Sequence, residues 1–294
     1  MSTPSPSTRD RDRLAHTRAL LFDLDGVLTP TAEVHMRAWA TLFTSYLSEH
    51  APDAAPYTDA DYFDHVDGKP RYDGVRSMLA SRGITLPEGE PSDSPDADTV
   101  CGLGNRKNSV FAAELAENGV EPYPGSVAFL DAAIARGYAV AVVSSSRNAV
   151  PVLTAAGLLD RFTVVVDGEV AARDGLAGKP APDTYFDGAR LLGFPASQSV
   201  VVEDAQSGVQ AGRAGDFGLV IGVDRGVGAD TLLDNGADFV VTDLGELVGD
   251  LPAAVNEDSS SADGLGATDG SPVAARLADG TTSTSTSSTA PEHS

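Results

Sequence analysis

Along the middle of the chain, short apolar runs alternate with stretches of helical spacing. Ala19-Leu20-Leu21-Phe22, Ala139-Val140-Ala141-Val142-Val143, Thr163-Val164-Val165-Val166, Val200-Val201-Val202 and Leu219-Val220-Ile221 are continuous, and Phe239-Val240-Val241 is a weaker sixth. A strand that is apolar on both sides is buried on both faces, as in parallel sheets covered by helices. Helical patterns fill the gaps at 127–136, 149–156, 184–192 and 207–214. The pattern predicts an α/β fold built on a doubly wound parallel sheet.

The first gap breaks the rhythm. From Phe22 to Ala139 is too long for one crossover, so a segment is inserted after the first strand. Val34, Ala38, Trp39, Leu42, Phe43, Tyr46 and Leu47 recur at helical spacing on one face. Residues 72–82 and 107–118 look helical too, whereas Pro87 to Thr99 carries Pro, Gly, Ser and Asp and reads as a surface loop. The expected organisation is a core of 18–29 and 124–250 with a helical cap of 30–123 hung on two linkers. Residues 1–17 and 251–294 are expected to be disordered tails, the second acidic and rich in Ser and Thr.

Charge narrows the partners. The chain carries 43 acidic and 20 basic residues, a net charge of -23, which repels nucleic acid and anionic membranes. The single cysteine, Cys101, excludes an internal disulfide framework and any multi-cysteine metal site. No run approaches the roughly 20 apolar residues of a membrane span, and Met1 to Arg13 lacks the apolar core of a secretory signal. A cytoplasmic monomer without nucleic-acid or membrane partners is expected. In so acidic a chain an anionic substrate needs local cations, and lysine is scarce: only Lys69, Lys107 and Lys179.

Candidate chemistry lies at the strand ends. Phe22 runs into Asp23, Val143 into Ser144, and Val202 into Glu203-Asp204, while Lys179 follows the Thr163 strand. Ligands of doubly wound sheets bind outside the carboxyl ends of the strands, so these residues can meet in one pocket. Asp23-Leu24-Asp25-Gly26 taken alone is equally well a turn leaving a strand. Ser144, Lys179-Pro180 and Glu203-Asp204 at the following strand ends favour a site.

These segments resemble the four motifs of the haloacid-dehalogenase phosphatase superfamily: Asp23-Leu24-Asp25-Gly26-Val27-Leu28-Thr29, Ser144, Lys179-Pro180-Ala181-Pro182-Asp183 and Glu203-Asp204. Three further stretches resemble its β-phosphoglucomutase-like subfamily. They are Thr31-Ala32-Glu33-Val34-His35-Met36-Arg37-Ala38-Trp39, Ser144-Ser145-Ser146-Arg147-Asn148 and the segment from Glu203 through Ala211. The resemblance spans about Arg18 to Leu247. It implies Mg²⁺ held by Asp23, Asp204 and the Asp25 carbonyl, with Glu203 in or near the ligand set. It implies Asp23 as nucleophile, Asp25 as acid and base, and Ser144 and Lys179 on the phosphoryl oxygens.

Further substrate contacts are implied at Ser146, Arg147 and Asn148, and in the cap at Arg71, Lys107, His35 and Trp39. Arg71 stands where the subfamily grips a distal phosphate and Lys107 where a second cap cation faces the site. His35 is as readily a packed or hinge residue as a proton carrier, and Lys69 and Arg106 are as readily helix-surface charge. Three departures stand out: Pro30 in place of an Asp, Ser145 in place of an Ala, and the longer cap at 87–99.

The physics agrees with the assignment. A phosphate ester repels an anionic nucleophile, and a divalent cation with a lysine cancels that repulsion. Mg²⁺ prefers a few carboxylates plus water. The expected reaction interconverts β-glucose 1-phosphate and glucose 6-phosphate through an aspartyl phosphate and a bisphosphate intermediate. The alternative is a sugar-phosphate phosphatase that uses water as acceptor. A non-catalytic binding protein is disfavoured by intact Asp23, Asp25, Lys179 and Asp204.

Overall fold

The computed structural model describes residues 6–252. The chain enters through α1 (Thr8–Ala15) and β1 (Ala19–Phe22). The inserted segment follows, with α2 (Thr31–His50), the single turn α3 (Asp59–Asp61), a π-helical turn at Tyr62–Val66, α4 (Arg71–Ser81) and α5 (Val100–Asn118). The chain then returns through α6 (Pro124–Ala135), β2 (Ala139–Val143), α7 (Ala149–Ala155), β3 (Val164–Val166) and α8 (Gly168–Asp174). It closes with α9 (Asp183–Leu192), β4 (Ser199–Glu203), α10 (Gln206–Ala214), β5 (Leu219–Val223), α11 (Ala229–Asn235) and β6 (Phe239–Val241).

All six strands are parallel, in the order β3-β2-β1-β4-β5-β6. The chain reverses direction across the sheet at β1, where open α/β sheets leave a crevice for ligands. Side chains alternate between two cores. Leu20, Phe22, Val140, Val142, Val200 and Val202 pack on one face with Phe129 and Leu153. Leu21, Ala141, Val143, Val201 and Val220 pack on the other with Tyr185 and Val209. The expected α/β class and its parallel sheet are present. The inserted helices bury a third cluster of their own, which includes Trp39, Phe43, Tyr46, Val75, Met78 and Leu103.

Several boundaries differ from expectation, each for a local reason. Disorder was expected through residue 17, yet Thr8–Ala15 is helical. A capping box between Ser7 and Asp10 starts this helix, and Leu14 is buried in the core. Arg13 bonds Asp238 at 2.6 Å. Composition averages hide one well-placed cap and one leucine. Helix α6 starts three residues earlier than its apolar spacing suggested, because Pro124 occupies its first turn. Helix α5 starts at Val100 rather than 107, since the Thr99 hydroxyl accepts the Gly102 N–H at 2.9 Å. Helices α8 and α11 were not anticipated. Of the expected C-terminal tail, Leu251 is buried in the core and the rest lies outside the described residues, apart from Pro252.

Candidate active site

Parallel pairing sets the floor of the site. Phe22 registers with Val142 and Val202, so Asp23, Val143 and Glu203 emerge side by side. The Asp23 N–H donates to Val202 O at 2.9 Å. Lys179, on the loop between α8 and α9, lies beneath this row. Its Nζ donates to Asp23 Oδ1 at 2.5 Å, Glu203 Oε1 at 2.6 Å and Val143 O at 3.0 Å. Burial alone lowers an ammonium's pKa, but Asp23 and Glu203 outweigh it and hold Lys179 charged.

Glu203 is saturated. Its Oε1 also accepts from the Tyr185 hydroxyl at 2.9 Å, and its Oε2 accepts the N–H groups of Asp204 and Ala205 at 3.0 and 3.1 Å. Gly208 leaves room for that carboxylate, because a Cβ there would lie 1.7 Å from Oε1.

Asp23, Glu203 and Asp204 offer carboxylate oxygens that all lie within 4.8 Å of one another. Burial, followed by neighbouring carboxylates, pushes Asp204 well above its usual range. Burial does the same to Asp23 against the pull of Lys179. Lys179 supplies one positive charge for three acids, so a hard divalent cation fits the donor set. With all four of Glu203's bonds already made, Asp23 and Asp204 are the better-placed ligands. The Asp25 carboxylate is not in this cluster, which leaves its main-chain carbonyl as the group the resemblance implies.

Asp25 faces a different set of partners. Its carboxylate accepts from Thr31 Oγ1 at 2.5 Å and Ser144 Oγ at 3.4 Å. His35 Nε2 lies 3.4 Å away without the alignment of a hydrogen bond. Burial would raise Asp25, but His35 and Thr31 together hold it below the usual carboxylate range. His35 stacks on Phe111 at 4.1 Å, and its Nδ1 meets Lys107 Nζ. Burial, then Arg71, pulls Lys107 down to about 7, while burial and Lys107 lower His35. Charge on Lys107 thus disfavours charge on His35. Thr31 can donate whichever of the two carries the charge, so Asp25 is held as a carboxylate.

Above the floor opens a cleft. Asp23, Asp25, His35, Trp39, Arg71, Lys107, Ser144, Ser146, Arg147, Asn148 and Asp204 line it, as does Lys69. Lys179 and Glu203 are sealed below, and Arg106 points away to Pro95 O. Arg71 donates to Asn108 Oδ1 at 2.7 Å and Asn105 Oδ1 at 3.4 Å, and Asn148 Nδ2 shares that Asn108 oxygen at 2.7 Å. Lys107 lies over Trp39 at 5.0 Å, and Arg147 over Tyr72 at 5.5 Å.

Ser145 Oγ donates to Gly68 O at 2.7 Å and Ser207 Oγ to Asp67 O at 3.1 Å, joining the inserted helices to the strand ends. Asp67 itself was not singled out from the sequence, where an Asp before Gly68 reads as a turn. It lines the cleft just after the π-helical turn, and burial pushes it up to about 7. A π turn is often a functional marker, but nothing in residue type announces one.

The family model for haloacid dehalogenase-like hydrolases matches residues 17–216, and the chain belongs to that family. Within it, the chain falls in the β-phosphoglucomutase-like branch, and it is an enzyme of phosphoryl chemistry, a phosphotransferase or phosphatase. It is 49% identical over 240 residues to a β-phosphoglucomutase of Mycobacterium tuberculosis, covering 79% of this chain and 91% of that one. The β-phosphoglucomutase of Bacillus subtilis is 29% identical over 233 residues, covering 78% and 94%. The crystal structure of β-phosphoglucomutase from Clostridium difficile superposes with a TM-score of 0.62 at 23% identity, covering 79% and 93%. No helix among the described residues is long and apolar enough to cross a membrane.

Proposed function

We propose that the protein is a β-phosphoglucomutase that interconverts β-D-glucose 1-phosphate and glucose 6-phosphate through an aspartyl phosphate and a glucose bisphosphate. One observation carries this reading. The cleft has two ends of unlike charge, a floor of Asp23, Ser144 and Asp204 above Lys179, which would take a phosphoryl group together with a metal ion, and a wall of Arg71, Lys107 and Arg147, which would take a second phosphate. A bisphosphate needs both, whereas hydrolysis of a monoester needs only the floor.

In this reading residues 30–123 act as a cap on the core. Asp23 attacks phosphorus, forming its carboxylate–phosphorus bond as the ester P–O bond breaks. Lys179 holds Asp23 in place and, once the carboxylate is esterified, is free to hold phosphoryl oxygens beside Ser144. Asp23 and Asp204, with the Asp25 carbonyl, would hold Mg²⁺, which offsets charge on the transferring group. Asp25, kept ionised, takes the proton from the sugar hydroxyl that attacks the phosphoenzyme, and returns it to the leaving oxygen in the reverse transfer. Arg71, Arg147 and Asn148 orient the phosphate that is not reacting, and Ser146, His35 and Trp39 shape the space around the sugar.

The test is an incubation with Mg²⁺, β-glucose 1-phosphate and a trace of glucose bisphosphate. Glucose 6-phosphate is the expected product. Free phosphate and glucose alone would replace the mutase reading with the phosphatase one.

A further inference from the structure

Arg225 lies outside the cleft, on the loop after β5, yet it reaches both crossings between the strand layer and the inserted helices. Its Nε donates to Gly26 O at 2.9 Å and its Nη1 to Thr242 O at 2.9 Å. Its guanidinium carbon sits 3.8 Å from the centre of the Tyr123 ring. Gly26 follows Asp25 on the way out, and Tyr123 is the last residue before α6 on the way back. Those two crossings also meet directly, through Tyr123 N–H to Leu28 O at 2.9 Å.

The turn that Arg225 holds is tight. Gly26 N–H donates to Thr29 O at 2.7 Å, and Leu28 N–H to Leu24 O at 2.9 Å. Gly26 has φ +89°, and a Cβ there would lie 1.8 Å from Asp204 Oδ2. The turn is thus pressed by Asp204 on one side and fastened by Arg225 on the other. No carboxylate pairs with Arg225 among the described residues; its partners are two carbonyls and a ring. A rigid, planar fork is suited to fixing geometry, which a lysine's single flexible ammonium cannot reproduce.

We infer that Arg225 is a positioning residue for Asp25. By fastening the Asp25–Gly26 turn to the returning chain at Tyr123, it keeps the Asp25 carboxylate aimed at the reacting oxygen while the helices beyond both crossings move. This rests on the acid–base reading of Asp25 proposed above. A misplaced acid matters most when the leaving group needs a proton. The signature is therefore a dependence on leaving group, which general damage to the fold does not produce.

The experiment compares phosphorylation of Asp23 by a sugar phosphate, whose alkoxide must take a proton from the small protonated fraction of Asp25, and by 4-nitrophenyl phosphate, whose phenolate leaves unaided. Arg225→Ala is expected to slow the first on the order of 10- to 100-fold, with little change in KM, and the second by no more than about threefold. Asp25→Asn should show the same pattern more strongly. Arg225→Lys, the gentler variant should Arg225→Ala fold poorly, should show it at intermediate size. Equal losses on both substrates, or none, in the Arg225 variants while Asp25→Asn discriminates would overturn the positioning role alone. Failure of Asp25→Asn to discriminate would overturn the acid–base reading and the inference with it.

Discussion

On the floor of the cleft the buried cation is spoken for: Lys179 has Asp23 and Glu203 at 2.5 and 2.6 Å. Across the cleft the cations meet mostly neutral partners. Arg71 is held by Asn105 and Asn108, and Lys107 by His35 and two aromatic rings. Arg147 has the Tyr72 ring at 5.5 Å and Glu169 at 3.4 Å, itself exposed. Floor carboxylates in excess call for a cation, while wall cations without buried carboxylates call for an anion. Amide oxygens satisfy the donors of Arg71 without cancelling its charge, so the charge remains available to a ligand. One cleft thus has two electrostatic demands, which a metal ion and a second phosphate would meet together in the proposed mutase.

The sharpest break comes at the nucleophile. Asp23→Asn should lower turnover by at least about 10⁴-fold, and mass spectrometry of the protein mixed with substrate should find no phosphoenzyme. A phosphorylated variant would move the nucleophile elsewhere. Chelation comes next: EDTA should silence the enzyme and Mg²⁺ restore it, because Asp23 and Asp204 then lose the ion that offsets their charge. Undiminished turnover in EDTA would remove the metal from the floor.

The wall should respond more selectively. A charge-assisted hydrogen bond contributes roughly 1.5–3 kcal/mol, so Arg71→Ala should cut mutase turnover on the order of 10- to 100-fold. Hydrolysis of 4-nitrophenyl phosphate, which has no second anion, should change far less. Equal falls would make Arg71 a support for the fold rather than an anion site.

The smallest effect is in stability against pH, measured in EDTA. Burial, then Arg71, lowers Lys107 from its ordinary 10.5 to about 7 in the folded protein. Native protein therefore gives up this proton before unfolded protein does, and stability should rise with pH from about 7 towards 10.5. Asp67 is the mirror case, with a folded value of about 7 against 3.8, so stability should fall as pH climbs through that window. Denaturant titrations of Lys107→Met and Asp67→Asn should each flatten the matching limb.

The two regions also differ in how far the sequence announces them. Strands such as Val200-Val201-Val202 are continuous β-branched runs, and polar residues at their ends are conspicuous because everything before them is apolar. Asp23, Ser144, Glu203 and Asp204 are brought together by strand register alone. The wall depends on helix packing, which no linear pattern encodes. Lys107 could be singled out as one of three lysines and Arg71 through the resemblance, but the neutral partners Asn105 and Asn108 carry no signal of their own. Asp67 and Arg225 escaped notice because each sits in a Gly-containing loop, Asp67-Gly68 and Arg225-Gly226, where a turn is sufficient explanation. Ser145 stood out only as a departure from the subfamily, and nothing in the sequence pointed to the bond its hydroxyl makes to the inserted segment at Gly68 O.

That bond and its neighbour share a peculiarity. Ser145 and Ser207 both grip main-chain carbonyls, those of Gly68 and Asp67, rather than side chains of the loop. A backbone carbonyl is present whatever residue occupies the position. The loop's side chains facing the cleft can therefore be exchanged through evolution, or by design at Asp67 and Lys69, without unfastening the latch. Gly68 alone is constrained, since a Cβ there would lie 2.3 Å from Ser207 Oγ and its φ is +68°. A lock that reads only the backbone leaves its selectivity free to drift.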